Sequence, residues 1–260
     1  MEDDVLFREI ELNGAKVAEI VLNRPDKGNA LTFEMLDALS VFCRQVARSQ
    51  DIRAVVIRGN GRFFCTGGDI KAWGSLTPTE MGQSWILRGI EVLDQIASLP
   101  QPVIAALNGH TLGGGLELAL AADLRIAVKT AKIGMPEVGL GMIAGWGGVR
   151  RMAETVGVAR AREFTLLGAP ITAEKAETWG LLHAVTEDAA AMEAQIQAWL
   201  ERLVTNAPIA MALTKGLLRT MHADMRQAFA SAAAHAAGTE DCREGVLAFR
   251  EKRKPVYRNL

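Results

Sequence analysis

The chain has 260 residues, 49% of them hydrophobic and 23% charged, the balance of an ordinary globular protein and not of a disordered or acidic segment. Its 29 Lys and Arg against 30 Asp and Glu give a formal charge of −1, which argues against the basic field of a protein that grips nucleic acid. Three cysteines (Cys43, Cys65 and Cys242) without CxxC spacing build no disulfide framework and suit a reducing compartment. The opening MEDDVLF is acidic and unlike a signal peptide. The apolar runs, such as VIAAL at 103–107, fall far short of the ~20 residues that span a bilayer. The expected setting is cytoplasmic, away from membrane and nucleic acid.

In chain order, 5–12 and 15–22 read as strands around Asn13-Gly14, a strong hairpin signal. Asn23, Arg24 and Pro25 end the second strand. Thr32 is the expected N-cap of a helix to about Ser49, with Met35, Leu36, Leu39, Phe42 and Val46 on one face. AVVIRG at 54–59, PVIAALNG at 102–109 and LRIAV at 124–128 read as buried strands. The first turns at Asn60-Gly61, and the second leads into a glycine run that opens a helix from about Leu112. Strands alternating with helices imply an α/β core with parallel pairing. From about Gly145 the pattern turns helical. Thr172 is a candidate cap, Gly180 a candidate stop and LLHAV at 181–185 a short strand. Segments 188–205, 207–221, 223–237 and 240–252 are Ala-rich with helical period, two of them separated by Pro208. This gives a core over 1–200 and a helical region over 201–260, with no linker or repeat between them.

The glycine runs Gly67-Gly68 and Gly113-Gly114-Gly115 each follow a strand signal, yet neither is a G-x-G-x-x-G fingerprint or a phosphate loop. Tight packing and close approach of backbone N–H groups to a ligand are both open readings. There is no G-x-S-x-G and no H-E-x-x-H. His110, His183, His222 and His235 lie far apart and read as surface or core histidines, so no metal is implied. Cys65 reads as a packed thiol. The carboxylates say more. Glu117 sits in LGGGLELALAAD and Glu137 in IGMPEVGLGMIAG, each a lone acid in an apolar run. Capping or edge exposure is one reading of each. Acid/base work in a desolvated cleft is the other, if the fold brings the two together.

Five strings resemble the crotonase (enoyl-CoA hydratase/isomerase) superfamily. They are LNRPDKGNAL at 22–31, FFCTGGDIK at 63–71, QPVIAALNGHTLGGGLELALAADLRIA at 101–127, PEVGLGMIAGWGGVRRM at 136–152 and DCREGVLAFREKRKP at 241–255. They stand in the family order and span essentially the whole chain. The resemblance implies a spiral of ββα units with a helical C-terminal region that packs across a trimer, or across a hexamer as a dimer of trimers. It implies an acyl-CoA thioester as substrate, with CoA part of that substrate and no separate cofactor. By motif match, the backbone N–H groups of Gly68 and Gly114 become an oxyanion hole for the thioester carbonyl. Glu117 and Glu137 become the two catalytic glutamates of a hydratase, and Gly145 helps seat the water. Lys27, Ala30, Thr66, Gly67, Asp69, Ile70 and Lys71 fall on the CoA- and substrate-binding segments, and a cation of EKRKP at 251–255 from a neighbouring subunit is a further candidate phosphate contact.

With both glutamates present, the expected reaction is hydration of 2-trans-enoyl-CoA to 3-hydroxyacyl-CoA. The alternatives are double-bond isomerisation or hydration of a specialised acyl group, carnitinyl-like or aromatic. A crotonase-like RNA-binding protein would want a Lys-rich helix face that this chain lacks outside its last residues, and a silent partner would have lost a glutamate. Four positions depart from the family's usual choices: Gly68 and Thr66 where Ala is frequent, Ala144 where Pro is, and Trp146 where a small residue is common. Trp73, Met81 and Trp85 fall in the variable segment that covers the acyl tail. Trp146 reshapes the acyl pocket if it faces it.

Overall fold

The computed structural model describes residues 3–219, 239–258 and 260. The helix expected over 223–237, with His222 and His235, lies outside the described residues. Among the described residues, ten strands form two sheets. The larger has the order β1 (Val5–Leu12), β2 (Ala15–Leu22), β3 (Ile52–Gly59), β5 (Val103–Leu107), β7 (Leu124–Val128) and β10 (Ala184–Thr186). β1 and β2 are the antiparallel hairpin expected from Asn13-Gly14, with φ of 52° and 78° at those two residues, the positive-φ pair of a type I′ turn. All the other pairings in this sheet are parallel. β5 is buried throughout and β3 nearly so, as central parallel strands covered on both faces must be.

The smaller sheet is built from strands too short to show a period: β4 (Phe63–Cys65), β6 (His110–Leu112), β8 (Lys132–Gly134) and β9 (Ile171–Thr172). β4, β6 and β8 run parallel, and β9 is antiparallel to β8. β4, β6 and β8 each follow a long strand, so β3–β4, β5–β6 and β7–β8 are successive turns of one spiral. The helix predicted from Leu112 therefore starts two residues later, because Leu112 is still paired in β6.

Helix α1 (Phe33–Arg48) begins where Thr32 Oγ1 accepts from Met35 N–H at 3.3 Å. The first spiral unit returns through α2 (Ile70–Trp73), α3 (Pro78–Glu80), a π-helical stretch Met81–Ile86 and α4 (Leu87–Ser98). The second returns through α5 (Gly114–Ala121), whose eight residues are all buried. A helix apolar on every side belongs at the centre of the molecule. After the third unit come α6 (Gly148–Val156), α7 (Val158–Leu167), α8 (Ala173–Thr178), α9 (Ala189–Thr205), α10 (Pro208–Arg219) and α11 (Glu240–Glu251). Thr172 caps α8 as expected. The boundary placed after residue 200 falls inside α9, whose Leu200 and Val204 are both buried. The strand expected at 181–185 is shifted to Ala184–Thr186, because Arg125 Nε binds the Leu181 carbonyl at 2.7 Å and holds Leu181 in a turn. No helix among the described residues is long and apolar enough to cross a membrane.

Candidate active site

The parallel strands β4, β6 and β8 end side by side, so the loops that follow them converge. Thr66, Gly67 and Gly68 follow β4, Gly113 and Gly114 follow β6, and Pro136 and Glu137 follow β8; all of them line one cavity of about 110 Å³.

The loop after β4 is held by a strip of the first motif. Thr66 N–H donates to Gly28 O (3.0 Å), Leu31 N–H to Gly67 O (2.8 Å) and Asp69 N–H to Leu31 O (2.8 Å). This alternation skips Gly68, whose N–H donates to no described acceptor. The loop after β6 turns at Gly113, whose φ of 53° and ψ of −129° suit only glycine. The turn delivers Gly114 as the first residue of α5, where its N–H has no partner within the helix and donates to no described acceptor. The two glycine pairs abut, since a Cβ on Gly67 would lie 3.3 Å from Gly114 N. Two neighbouring main-chain donors thus stand unused on one cavity wall, at the N-terminal end of a buried helix that favours negative charge.

α5 carries Glu117 into the interior, leaving it 3% exposed. Its Oε1 accepts the N–H groups of Trp146 (2.8 Å) and Gly148 (2.7 Å). A Cβ on Gly148 would stand 2.5 Å from Glu117 Cγ, so the second donor must be glycine. That donor loop is itself clamped by buried Arg151: Nη1 donates to Trp146 O at 2.8 Å and Nη2 to Asp94 Oδ1 at 2.5 Å. No described donor reaches Glu117 Oε2, which leaves that oxygen for the cavity. Burial is the main cause that lifts the Glu117 carboxyl to about 7; the two N–H donors oppose the rise and the nearby Glu137 charge adds to it.

Glu137 approaches from the short 3-10 helix Glu137–Leu140. Its Oε1 would lie 3.2 Å from a Cβ on Gly113, so the carboxyl faces the glycine turn. Both of its oxygens are buried without a partner among the described residues, and burial raises its pKa as well. The site therefore offers two carboxyls that resist ionisation beside two free N–H donors.

A family model for enoyl-CoA hydratase/isomerase matches residues 13–259. The chain belongs to that family. It is 35% identical over 244 residues to a short-chain-enoyl-CoA hydratase of Clostridium acetobutylicum, covering 92% of this chain and 93% of that protein. It is 32% identical over 265 residues to the mitochondrial methylglutaconyl-CoA hydratase of Mus musculus, covering 99% and 84%. The crystal structure of an enoyl-CoA hydratase from Bacillus anthracis superposes with a TM-score of 0.92 at 32% identity, covering 99% of this chain and 100% of that one. The α/β spiral expected from the crotonase resemblance is thus the fold of this family member.

Of the residues singled out in the sequence, Thr66, Gly67, Gly68, Ile70, Gly114, Glu117, Glu137 and Gly145 line this cavity. Lys27, Ala30, Asp69 and Lys71 do not line it. Asp69 is occupied otherwise: Oδ1 caps α2 through Lys71 N–H (3.0 Å) and Oδ2 pairs with Arg24 Nη1 (3.0 Å), which also binds Ala30 O (2.6 Å). These contacts make Asp69 and Ala30 the anchor of the 28–31 strip. Lys27 and Lys71 are exposed. In EKRKP, Arg253 pairs within its own chain with Glu244 and Glu251, both at 2.6 Å, leaving Lys252 and Lys254 as exposed cations there. Cys65 is a packed thiol as expected, with burial pushing its pKa to about 12. Arg151 and Asp94 had no local signal, since they meet only across the fold. No cluster of three metal-ligating side chains occurs among the described residues.

Proposed function

We propose that this family member hydrates 2-trans-enoyl-CoA thioesters to 3-hydroxyacyl-CoA, reversibly, with CoA entering as part of the substrate. The observation that carries this reading is the pair Glu117 and Glu137 on one cavity, beside two N–H groups without acceptors among the described residues. Nearby carboxyls in such a place resist joint ionisation and titrate as a pair, so one proton stays between them near neutral pH. With the thioester oxygen between the N–H groups of Gly68 and Gly114, negative charge developing on it is stabilised, each donor contributing roughly 10²–10³-fold. Water held by the two carboxyls and the Gly145 turn adds its hydroxyl to C3. The ionised carboxyl takes the proton that the water loses, and the protonated one delivers a proton to C2. The pair ends with one proton, as it began, and the thioester regains its carbonyl. This chemistry moves only water and a proton and asks for no separate cofactor.

The family also catalyses isomerisation. Glu137 alone, with both oxygens unpartnered, could shuttle a proton along an acyl chain while Glu117 stays tied. The two readings part cleanly in one assay. Purified protein is mixed with 2-trans-butenoyl-CoA, the enoyl absorbance is followed and the product is weighed. Loss of absorbance with a gain of one water supports hydration. A 3-enoyl substrate converted to the 2-enoyl thioester without mass change, with no water added to either, would overturn it.

A homotrimer or a dimer of trimers is part of the same proposal. It is supported by the exposed apolar residues Leu166 (71%) and Leu167 (72%) on α7, which a lone soluble chain gains nothing by displaying. Cytoplasmic action is likewise proposed, from three cysteines that are all free.

A further inference from the structure

The floor of the cavity is aromatic. Trp85 and Trp146 are both buried, at 4% and 2% exposure. Their ring centroids are 5.1 Å apart with planes tilted by 56°, and Phe33 packs edge-on against Trp85 at 4.9 Å. Three glycines make room for these indoles. A Cβ on Gly89 in α4 would overlap the five-membered ring of Trp146, and one on Gly114 would lie 2.6 Å from its six-membered ring. A Cβ on Gly68 would lie 2.7 Å from Trp85 and 3.2 Å from Trp73 Nε1, which donates to the Gly68 carbonyl at 3.2 Å. Each residue that presents an unused N–H therefore has an indole where its side chain would begin.

We infer that Trp85 and Trp146 set the size of the acyl group. The site takes short, unbranched enoyl thioesters of about four to six acyl carbons and refuses long or ring-bearing ones. This inference rests on the reading that the thioester oxygen sits between Gly68 and Gly114, because only then does the acyl group meet the two rings. The space supports it. The cavity holds about 110 Å³, whereas an apolar cavity of ~150 Å³ is one that admits benzene. The contacts also couple size to chemistry. An acyl chain that displaces Trp146 or Trp85 disturbs the glycine whose N–H faces the thioester, so an oversized substrate loses turnover as well as affinity.

The test uses the full-length protein and thioesters of four, six and ten acyl carbons. Affinity is measured by calorimetry with the saturated thioesters and hydration with the 2-enoyl ones. Discrimination in an apolar pocket runs at roughly 10-fold or more per unaccommodated methylene. Wild type is expected to favour four carbons over ten by about 10²-fold or more in both affinity and kcat/KM. Trp85→Leu is expected to bring both ratios below about 10-fold by improving the ten-carbon thioester. Trp146→Leu should act in the same direction. If it does not fold, Trp85→Leu and one further pair carry the test: Gly68→Ala lowers turnover, and Gly68→Ala with Trp85→Leu recovers much of the loss. Equal handling of four and ten carbons by wild type, or ratios that neither tryptophan substitution moves in a folded protein, overturns the inference. The calorimetric ratio needs no reaction. A strong preference for the four-carbon thioester without any hydration would sink the hydratase reading and leave the size limit standing. Hydration that is indifferent to length would do the reverse.

Discussion

Glu117 and Glu137 reach the same cavity from unlike parts of the molecule. Glu117 belongs to a fully buried helix, and two N–H donors fix its Oε1. Glu137 opens a four-residue 3-10 helix whose Val138 and Leu140 are 42% and 60% exposed, and nothing among the described residues holds its carboxylate. The first carboxyl is oriented before any substrate arrives. The second waits for a partner, and a buried polar group left so costs about 1–3 kcal/mol, which a bound water or substrate would offset. The lesson is that an active site can fix one reacting group by the core and leave the other to be completed by the ligand.

If that contrast holds, damage to the seat of Glu117 should cost more than its distance from the substrate suggests. Among changes to that seat, the largest effect is expected from Gly148→Ala, which drives a methyl against Glu117 Cγ and Oε1. A misplacement of about 1 Å costs on the order of 10²-fold in rate, so kcat should fall by that much while affinity for a saturated acyl-CoA changes little. An unaltered kcat would mean that Glu117 is not held as described.

The second effect is on stability. The Glu117 carboxyl rises from 4.5 to about 7 on folding, so the folded state binds the extra proton. The contribution of this one carboxyl to stability is then greatest below pH 4.5, falls as pH climbs to about 7 and levels off above it. Glu117→Gln removes the penalty and should be more stable than wild type at pH 8 by up to about 3 kcal/mol, with the advantage gone at pH 4. Denaturant melts at the two pH values decide this, and a variant less stable at pH 8 would contradict the assigned direction.

The smallest effect is expected from Arg151→Met. It frees Trp146 O and Asp94 but leaves both N–H donors to Glu117 in place. We expect kcat to fall by about 10-fold with KM unchanged, the loss of one charge-assisted hydrogen bond acting through the loop. A rise in KM alone would place Arg151 in substrate binding instead.

The same contrast explains what the sequence discloses. The Asn13-Gly14 hairpin, α1 with its Thr32 cap, and β7 could be read directly because each carries a local signal over many residues. The burial of Glu117 was only one of two open readings, since an acid in an apolar run such as LGGGLELALA can equally mark an exposed edge or a cap. The smaller sheet could not be read. Its strands span two or three residues, below any period, and yet their ends assemble the site. Asp69 shows the other limit: its partner Arg24 is 45 residues away and Arg151 lies 57 residues from Asp94. No local pattern reports such pairings. Trp146 was visible as a departure and Trp85 as part of the variable segment, but their packing on Gly68, Gly89 and Gly114 belongs to the fold alone.

The central claim is that both carboxyls act on one water. The most direct measurement is single-turnover hydration of 2-trans-butenoyl-CoA by wild type, Glu117→Gln and Glu137→Gln, beside the affinity of each for butanoyl-CoA. Acid/base contributions run at roughly 10²–10⁴-fold, so each variant should lose at least about 10²-fold in rate and keep its affinity within a few-fold. A variant that hydrates at near the wild-type rate would contradict the account.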